Sequence, residues 1–405
     1  MPSLGWIHFS PEFRDRVNTI LDMMDEEGMV DELGVGIFRD AFADIFFPGI
    51  STIQTRAKYF FIVPYIMKDY LNLSPQRRIG LGDYLYESEH DIMWNLAAKY
   101  HNDRNSHSGV IGITKIYPDR IARRPSSIYW NGIRMFGFIR TSLSLSEYII
   151  RVDETLENKI ARTVSSRLGE SDDLDVDISE GHGIKISTYR NGWKDDIDLP
   201  LDYDEADFLR NRILKSVPGS LLSTILYDNN LRKLFFSCPN FETFARSSIK
   251  ILSDEKLKGD IIFAHDLNEV VKGIHLIYSN EINILHYQDD RYFWRWEKWR
   301  DGLKLLDPAN LSAERLLEIT PNAGYHTREF IREVLRLIRV TDLDYKSLAE
   351  LVRNQEQNVK KKKSRFRQGA EIDFRKGESR SLSFMNYRYG NAKTIVNDIY
   401  EGLKC

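Results

Sequence analysis

Cysteine is almost missing from this chain. Its 405 residues hold two, Cys238 and Cys405, too few for a disulfide framework or a cysteine-ligated zinc site, and a reducing compartment fits. Long apolar runs are missing as well: no stretch supplies about eighteen uninterrupted apolar residues, the length a membrane-spanning helix needs. The opening "MPSLGWIHFSPEFRDR" has no basic start leading into an apolar stretch and no cleavage site, so the sequence reads as cytoplasmic, with no membrane partner. Charge of one sign is also lacking. A net charge of -3 excludes a protein that coats nucleic acid over its whole surface, while leaving local basic patches open.

The sequence signatures of common catalytic sites are absent too. There is no GxxxxGK[ST], no GxGxxG after a strand, no GxSxG and no HExxH, and none of the nine histidines begins an HxK pattern. The acidic run "DDLDVD" spaces Asp173, Asp175 and Asp177 like a calcium loop, but Ile178 stands where the glycine belongs and Ile184 where the twelfth-position carboxylate belongs. Asp153 with Glu157 and Lys159 resembles a nuclease carboxylate pattern, yet it falls on a helical stretch rather than on strands. These residues imply no catalytic set, no metal and no cofactor.

What is present is helical periodicity. Hydrophobic residues make up 42% of the chain and charged residues 29%, ordinary for a globular protein, and 405 residues exceed one core. Ser10 and Pro11 start an amphipathic helix over residues 10–24; a second begins near Gly34 and stops at Pro48-Gly49; a third starts at Ser51 or Thr52 and meets Pro64, which should kink it. Further helices are expected over 74–100, from Ser126 or Ser127, over 144–168, on either side of Pro218-Gly219, and over 241–252, 267–287, 292–306, 328–338, 345–353 and 392–403. The expected fold is mainly α: multi-helical, two or three packed subdomains, with at most a few short strands, between 109 and 117 and between 184 and 189. The division expected is an N-terminal helical domain (1–168), an acidic linker or surface loop with a short hairpin (169–198), a C-terminal helical domain (199–357), a basic mobile loop (358–383) and a C-terminal helix packing back on the core (384–405).

Three segments carry charge in a pattern that suits a ligand. Lys360, Lys361, Lys362, Lys363, Arg365 and Arg367 place six positive charges in eight residues, with Phe366 among them, a pattern that suits phosphate contacts and base stacking as well as it suits a solvated loop. "RIARRPSSIYWNGI" brings Arg120, Arg123 and Arg124 to a helix N-terminus, where an anion is favoured, although capping of a core helix explains the same pattern. "RYFWRWEKWR" interleaves tryptophans with cations, and helical spacing puts Tyr292, Trp296 and Trp299 on one face with the cations nearly opposite. His265 and His275 are too far apart to share a metal.

The stretch "FFPGISTIQTRAKYFFIVPYI", residues 46–66, sets Gln54, Arg56 and Lys58 among aromatics and aliphatics. At about 100° per residue, Gln54 and Lys58 share a side that Arg56 does not, so one set must face protein or a ligand. Together with "GVIGITKIYPDRIARRPSSIYWNGIRMFG", "SFMNYRYGNAKTIVNDI" and the opening "SLGWIHFSPEFRDRV", it resembles an uncharacterised bacterial family of unknown function, number six-three-six-one. That resemblance implies gene clusters of the antiviral-defence type, alongside helicases and phospholipase-D-like proteins, without a mechanism. If Gln54 and Arg56 belong to a family signature, Arg56 faces inward. Its expected role is then a tie to Asp40 or Asp44, with a phosphate site as the competing role. The expected function is a non-enzymatic component that binds DNA or RNA through Arg123, Arg124 and the 360–367 run and holds a helicase or nuclease partner. A metal-dependent nuclease with carboxylates converging only in the fold, and a pure protein adaptor, are the alternatives.

Overall fold

The computed structural model describes residues 31–101, 109–166, 182–291, 293–303, 306, 311–339, 343–367, 370, 375–378, 386 and 388–404. The expected helix over 10–24, the calcium-like run and most of the acidic stretch lie outside the described residues. Within them the chain is carried by fifteen α-helices and two short 3-10 turns, Pro75–Arg77 and Lys361–Lys363, and no strand forms. The mainly-α expectation holds. The short strands do not form among these residues; a single antiparallel bridge pairs Ile139 with Ile184.

In chain order the helices are α1 (Gly36–Phe46), α2 (Tyr59–Leu71), α3 (Leu81–Lys99), α4 (Pro125–Met135), α5 (Leu145–Ser166), α6 (Tyr203–Ser216), α7 (Leu221–Tyr227) and α8 (Asn229–Ser237). There follow α9 (Phe241–Ser248), α10 (Glu255–Tyr287), α11 (Trp294–Leu303), α12 (Ala313–Ile319), α13 (Tyr325–Leu337), α14 (Tyr345–Lys360) and α15 (Tyr389–Gly402). Many starts are explained by local capping. Asp202 closes a capping box with Glu205 at α6, and Asp254 accepts from Leu257 N at α10, which lengthens that helix twelve residues beyond the periodic stretch that begins at Leu267. At about 1.5 Å per residue α10 is roughly 50 Å long. It packs against α9, α11 and α14.

The buried apolar residues form one connected cluster running from Leu33 to Ile399. Residues 184–198, expected in a linker, put Ile184, Ile186, Trp193 and Ile197 into it. Helix α15 packs along α6, and Gly402 lies so close that a Cβ there would meet Ala206 Cβ at 2.7 Å. Helix α11 approaches α10 more closely still: a Cβ on Gly273 would fall 1.8 Å from the Trp299 ring, whose Nε1 donates to Glu269 O at 2.7 Å. Trp296 and Trp299 are buried and Trp294 is exposed, so this segment commits two of its three indoles to the core.

Candidate functional site

The 51–58 segment forms no helix because its amides are used elsewhere. Tyr129 Oη, on α4, accepts from Thr55 N (2.8 Å) and Arg56 N (3.0 Å) and donates to Arg56 O (2.9 Å), so α2 starts at Tyr59. Gln54 is buried: its Nε2 donates to Gly49 O at 3.1 Å and its Oε1 accepts from Ser51 N at 3.2 Å, closing the turn after α1. Gly109 holds φ +76°, and a Cβ on it would lie 2.6 Å from Arg56 Cγ, so a left-handed glycine lets residue 109 lie against this segment. Helix α2 then runs through Pro64 without a break.

Arg56 does face inward to an aspartate, but a different one from those expected. Its Nε donates to Asp398 Oδ2 on α15 at 2.9 Å, and Ala57 N donates to the same oxygen at 2.8 Å. Asp44 pairs instead with Arg388, and Asp40 with Arg39. Burial pushes the Asp398 carboxyl upward against the pull of Arg56 and the Ala57 amide. Lys58, on the other side of the segment, donates to both oxygens of buried Glu205 at 2.8 and 2.7 Å. Both charge sets therefore face protein.

The helix N-terminus at "ARRPSS" is already filled by a carboxyl group from the chain. Arg124 is the N-cap and Pro125 the first residue of α4, and buried Glu89 of α3 accepts from Ser126 N (2.5 Å) and Ser126 Oγ (2.9 Å). Arg124 Nη1 lies 3.6 Å from Glu89, and its guanidinium sits over the Tyr86 ring. Burial raises the Glu89 carboxyl to about 7, with Arg124 and Ser126 pulling the other way. Arg123 is half-buried, and Arg120 is paired with Glu87 over Tyr86 and Trp94. Arg124 is thus turned toward the interior.

The basic run divides in two. Lys360 ends α14 with its Nζ 3.0 Å from buried Glu32, and Arg365 Nη1 lies 2.5 Å from the same carboxylate and donates to Tyr278 Oη at 3.1 Å. Glu356, fully buried, accepts from Ser364 Oγ at 2.5 Å and Arg365 N at 2.8 Å, and Phe366 packs edge-on against Tyr278. Between these anchors Lys361, Lys362 and Lys363 form an exposed 3-10 turn, with exposed Arg367 donating to Lys362 O at 3.0 Å. Lys361 holds φ +49°, a strained conformation for a lysine that the anchors on both sides maintain. Up to Arg367 the segment expected to be a mobile loop is a pinned turn. Phe366 is engaged with the core.

Among the described residues one group has the mutual spacing of metal ligands: Glu242, His265 and Glu269, with ligand atoms within 4.8 Å of one another. A cation of the protein already sits there. Lys272 Nζ donates to Glu242 Oε2 at 2.8 Å and Glu269 Oε1 at 2.7 Å, which lowers the Glu242 carboxyl pKa. His275 is buried within α10 with Nδ1 at Val271 O, away from that group. The sequence reading missed a cleft of about 680 Å³ beside α6, lined by Arg140, Arg212 and Lys215 at one end. The polar positions 204, 207, 211, 212 and 215 on one helical face were the signal for it.

No helix among the described residues is long and apolar enough to cross a membrane. No curated protein and no solved structure matches the chain. A family model, described as a family of unknown function (DUF6361), matches residues 1–233, more than half of the 405, and that span holds the Gln54, Glu89 and Arg124 contacts just described together with Arg56. The chain belongs to that family.

Proposed function

We propose that this chain is a non-enzymatic, nucleic-acid-binding component of a bacterial defence-type system, working beside a helicase, nuclease or phospholipase-D-like partner of the kind its resemblance implies. The observation that carries the reading is the pinned turn. Lys360 and Arg365 are committed to Glu32, and this fixes Lys361, Lys362, Lys363 and Arg367 in water on one short arc. A cationic arc held in place loses less side-chain and backbone freedom on meeting a phosphate backbone than a mobile loop does. Arg123 and Arg124 drop to a lesser role in this reading, since Arg124 is committed to Glu89. The nuclease alternative has less support, because Lys272 occupies the described carboxylate and histidine cluster.

Fluorescence anisotropy with labelled single-stranded and duplex DNA and RNA, across a salt series, tests it. Replacing Lys361, Lys362, Lys363 and Arg367 by Gln should weaken binding across sequences and flatten the log–log salt slope on duplex DNA by about 0.9 for each phosphate no longer neutralised. Wild-type protein that shows no salt-dependent binding at low salt refutes the reading and favours the adaptor. Cleavage of plasmid by clean protein with Mg²⁺ or Mn²⁺ would favour the nuclease.

A further inference from the structure

The cleft beside α6 is built from two elements that the chain brings together. Residues 138–140 and 183–185 run antiparallel, with Lys185 N donating to Phe138 O at 2.8 Å and Arg140 N to Gly183 O at 2.9 Å. This fixes Arg140 at one wall. Helix α6 supplies the other, presenting Asp204, Asp207, Asn211, Arg212 and Lys215 to the cleft while Ala206, Leu209 and Ile213 are buried in the core.

Three cations at one end have no carboxylate partner among the described residues. Arg212 donates to Lys185 O at 2.8 Å and lies over the Phe208 ring at 4.9 Å, which orients its guanidinium without neutralising it. Arg140 and Lys215 make no ion pair among those residues. Burial and the charge of Arg140 both lower the Arg212 pKa, so the two like charges oppose each other across the cleft. Four half-buried cations described above are each matched by an acid: Arg56 by Asp398, Lys58 by Glu205, Arg124 by Glu89 and Arg365 by Glu32. Half-buried Arg212 departs from those pairs, with exposed Arg140 and Lys215 beside it, and an external anion would supply the missing charge.

The opposite end is acidic. Asp204 and Asp207 stand in the first turns of α6, on the order of 12 to 16 Å along the axis from Lys215; carboxylates accept from hydroxyls, and Asp207 already accepts from Asn211 Nδ2 at 2.9 Å. Ser187 and Thr188 also line the cleft, the Thr188 hydroxyl being shared with Tyr65 Oη at 2.7 Å. A volume of about 680 Å³ falls within the range for small-molecule sites.

We propose that this cleft binds a small phosphomonoester bearing hydroxyl groups, a sugar phosphate or a nucleoside monophosphate, with its phosphoryl group at Arg140, Arg212 and Lys215 and its hydroxyls toward Asp204 and Asp207. The site lies wholly within residues 1–233, the part that matches the family model, whereas the 361–367 turn lies outside it. Phosphate recognition here is independent of nucleic-acid binding by that turn.

The experiment is calorimetric titration of the full chain with inorganic phosphate, ribose 5-phosphate, AMP and adenosine, repeated with Arg140→Gln, Arg212→Gln and Asp207→Asn. Ribose 5-phosphate and AMP should bind and adenosine should not. Arg140→Gln should weaken the phosphorylated probes at least ten-fold, as removal of one charge-assisted hydrogen bond requires, with an unchanged ligand-free melting temperature because Arg140 is exposed. Asp207→Asn should weaken ribose 5-phosphate more than inorganic phosphate, and the better of AMP and ribose 5-phosphate separates the nucleotide from the sugar source. The proposal is overturned if no phosphorylated probe binds, if Arg140→Gln binds as wild type does, or if ribose 5-phosphate binds no tighter than inorganic phosphate.

Discussion

Replacing Glu89 by Gln isolates the energetics of the buried carboxylate that fills the start of α4. Glu89 is fully buried and burial raises it to about 7, against 4.5 for an exposed glutamate. The folded state therefore holds the Glu89 proton more tightly than the unfolded chain. Its contribution to stability is complete below pH 4.5 and is lost as pH rises through 7. Between pH 5 and pH 8 the loss is about 2.5 kcal/mol, from a shift of roughly 2.5 units at about 1.36 kcal/mol each, less the part already titrated at pH 5. Gln stays neutral, can offer one oxygen to Ser126, and does not titrate. Urea unfolding of wild type and Glu89→Gln at both pH values gives the difference in stability, and the subtraction cancels every other titrating group. That difference should move toward the variant by about 2.5 kcal/mol on going from pH 5 to pH 8. A difference that stays constant refutes the reasoning. It would mean that Ser126 and Arg124 support the ionised carboxylate as well as water does.

Two further perturbations probe the packing. Asp398→Ala leaves Arg56 and the Ala57 amide without their shared acceptor and should cost about 3 to 5 kcal/mol in urea unfolding, whereas Asp44→Ala, on an exposed carboxylate, should cost less than about 1. Gly273→Ala should displace Trp299, lowering stability by roughly 1 to 3 kcal/mol and shifting indole fluorescence, because the new methyl would overlap the ring; unchanged emission would contradict the close approach of α10 and α11.

Much of the helical layout was legible from punctuation. Pro48-Gly49 ends α1 just as its turn signal implies, Pro218-Gly219 separates α6 from α7, and the apolar spacing at Ala392, Ile395, Val396 and Ile399 gives α15. The failures share a physical cause. The expected helix start at Ser51 or Thr52 was displaced to Tyr59 because Tyr129, more than seventy residues away, takes the amides of Thr55 and Arg56, and no local pattern encodes that. The family resemblance implied the inward turn of Arg56, which helical spacing alone left open, but it did not imply the partner. Asp398 lies 342 residues away, and the preceding helix offered Asp40 and Asp44 as nearer candidates. At the basic run the composition was plain, while the division into anchors and exposed cations depended on Glu32, more than three hundred residues away in sequence, and on Glu356 turning inward.

The long-range ties also show how the family span relates to the rest of the chain, since several of them cross residue 233. Asp398 holds Arg56, Asn391 donates to Thr52 O and Gln54 O, Gln355 donates to Leu33 O, and Glu32 is clamped by Lys360 and Arg365. These contacts satisfy polar groups at the surface that the family span presents to the later helices, and each group would be left buried or unpaired without them. Helix α15 adds apolar contact along α6, with Gly402 set against Ala206 and Leu201. The opposite face of that helix lines the cleft with Arg212 and Lys215. The C-terminal helix therefore positions the cleft without lining it: α15 fixes the inner face of α6, and that fixes the direction in which its charged face points.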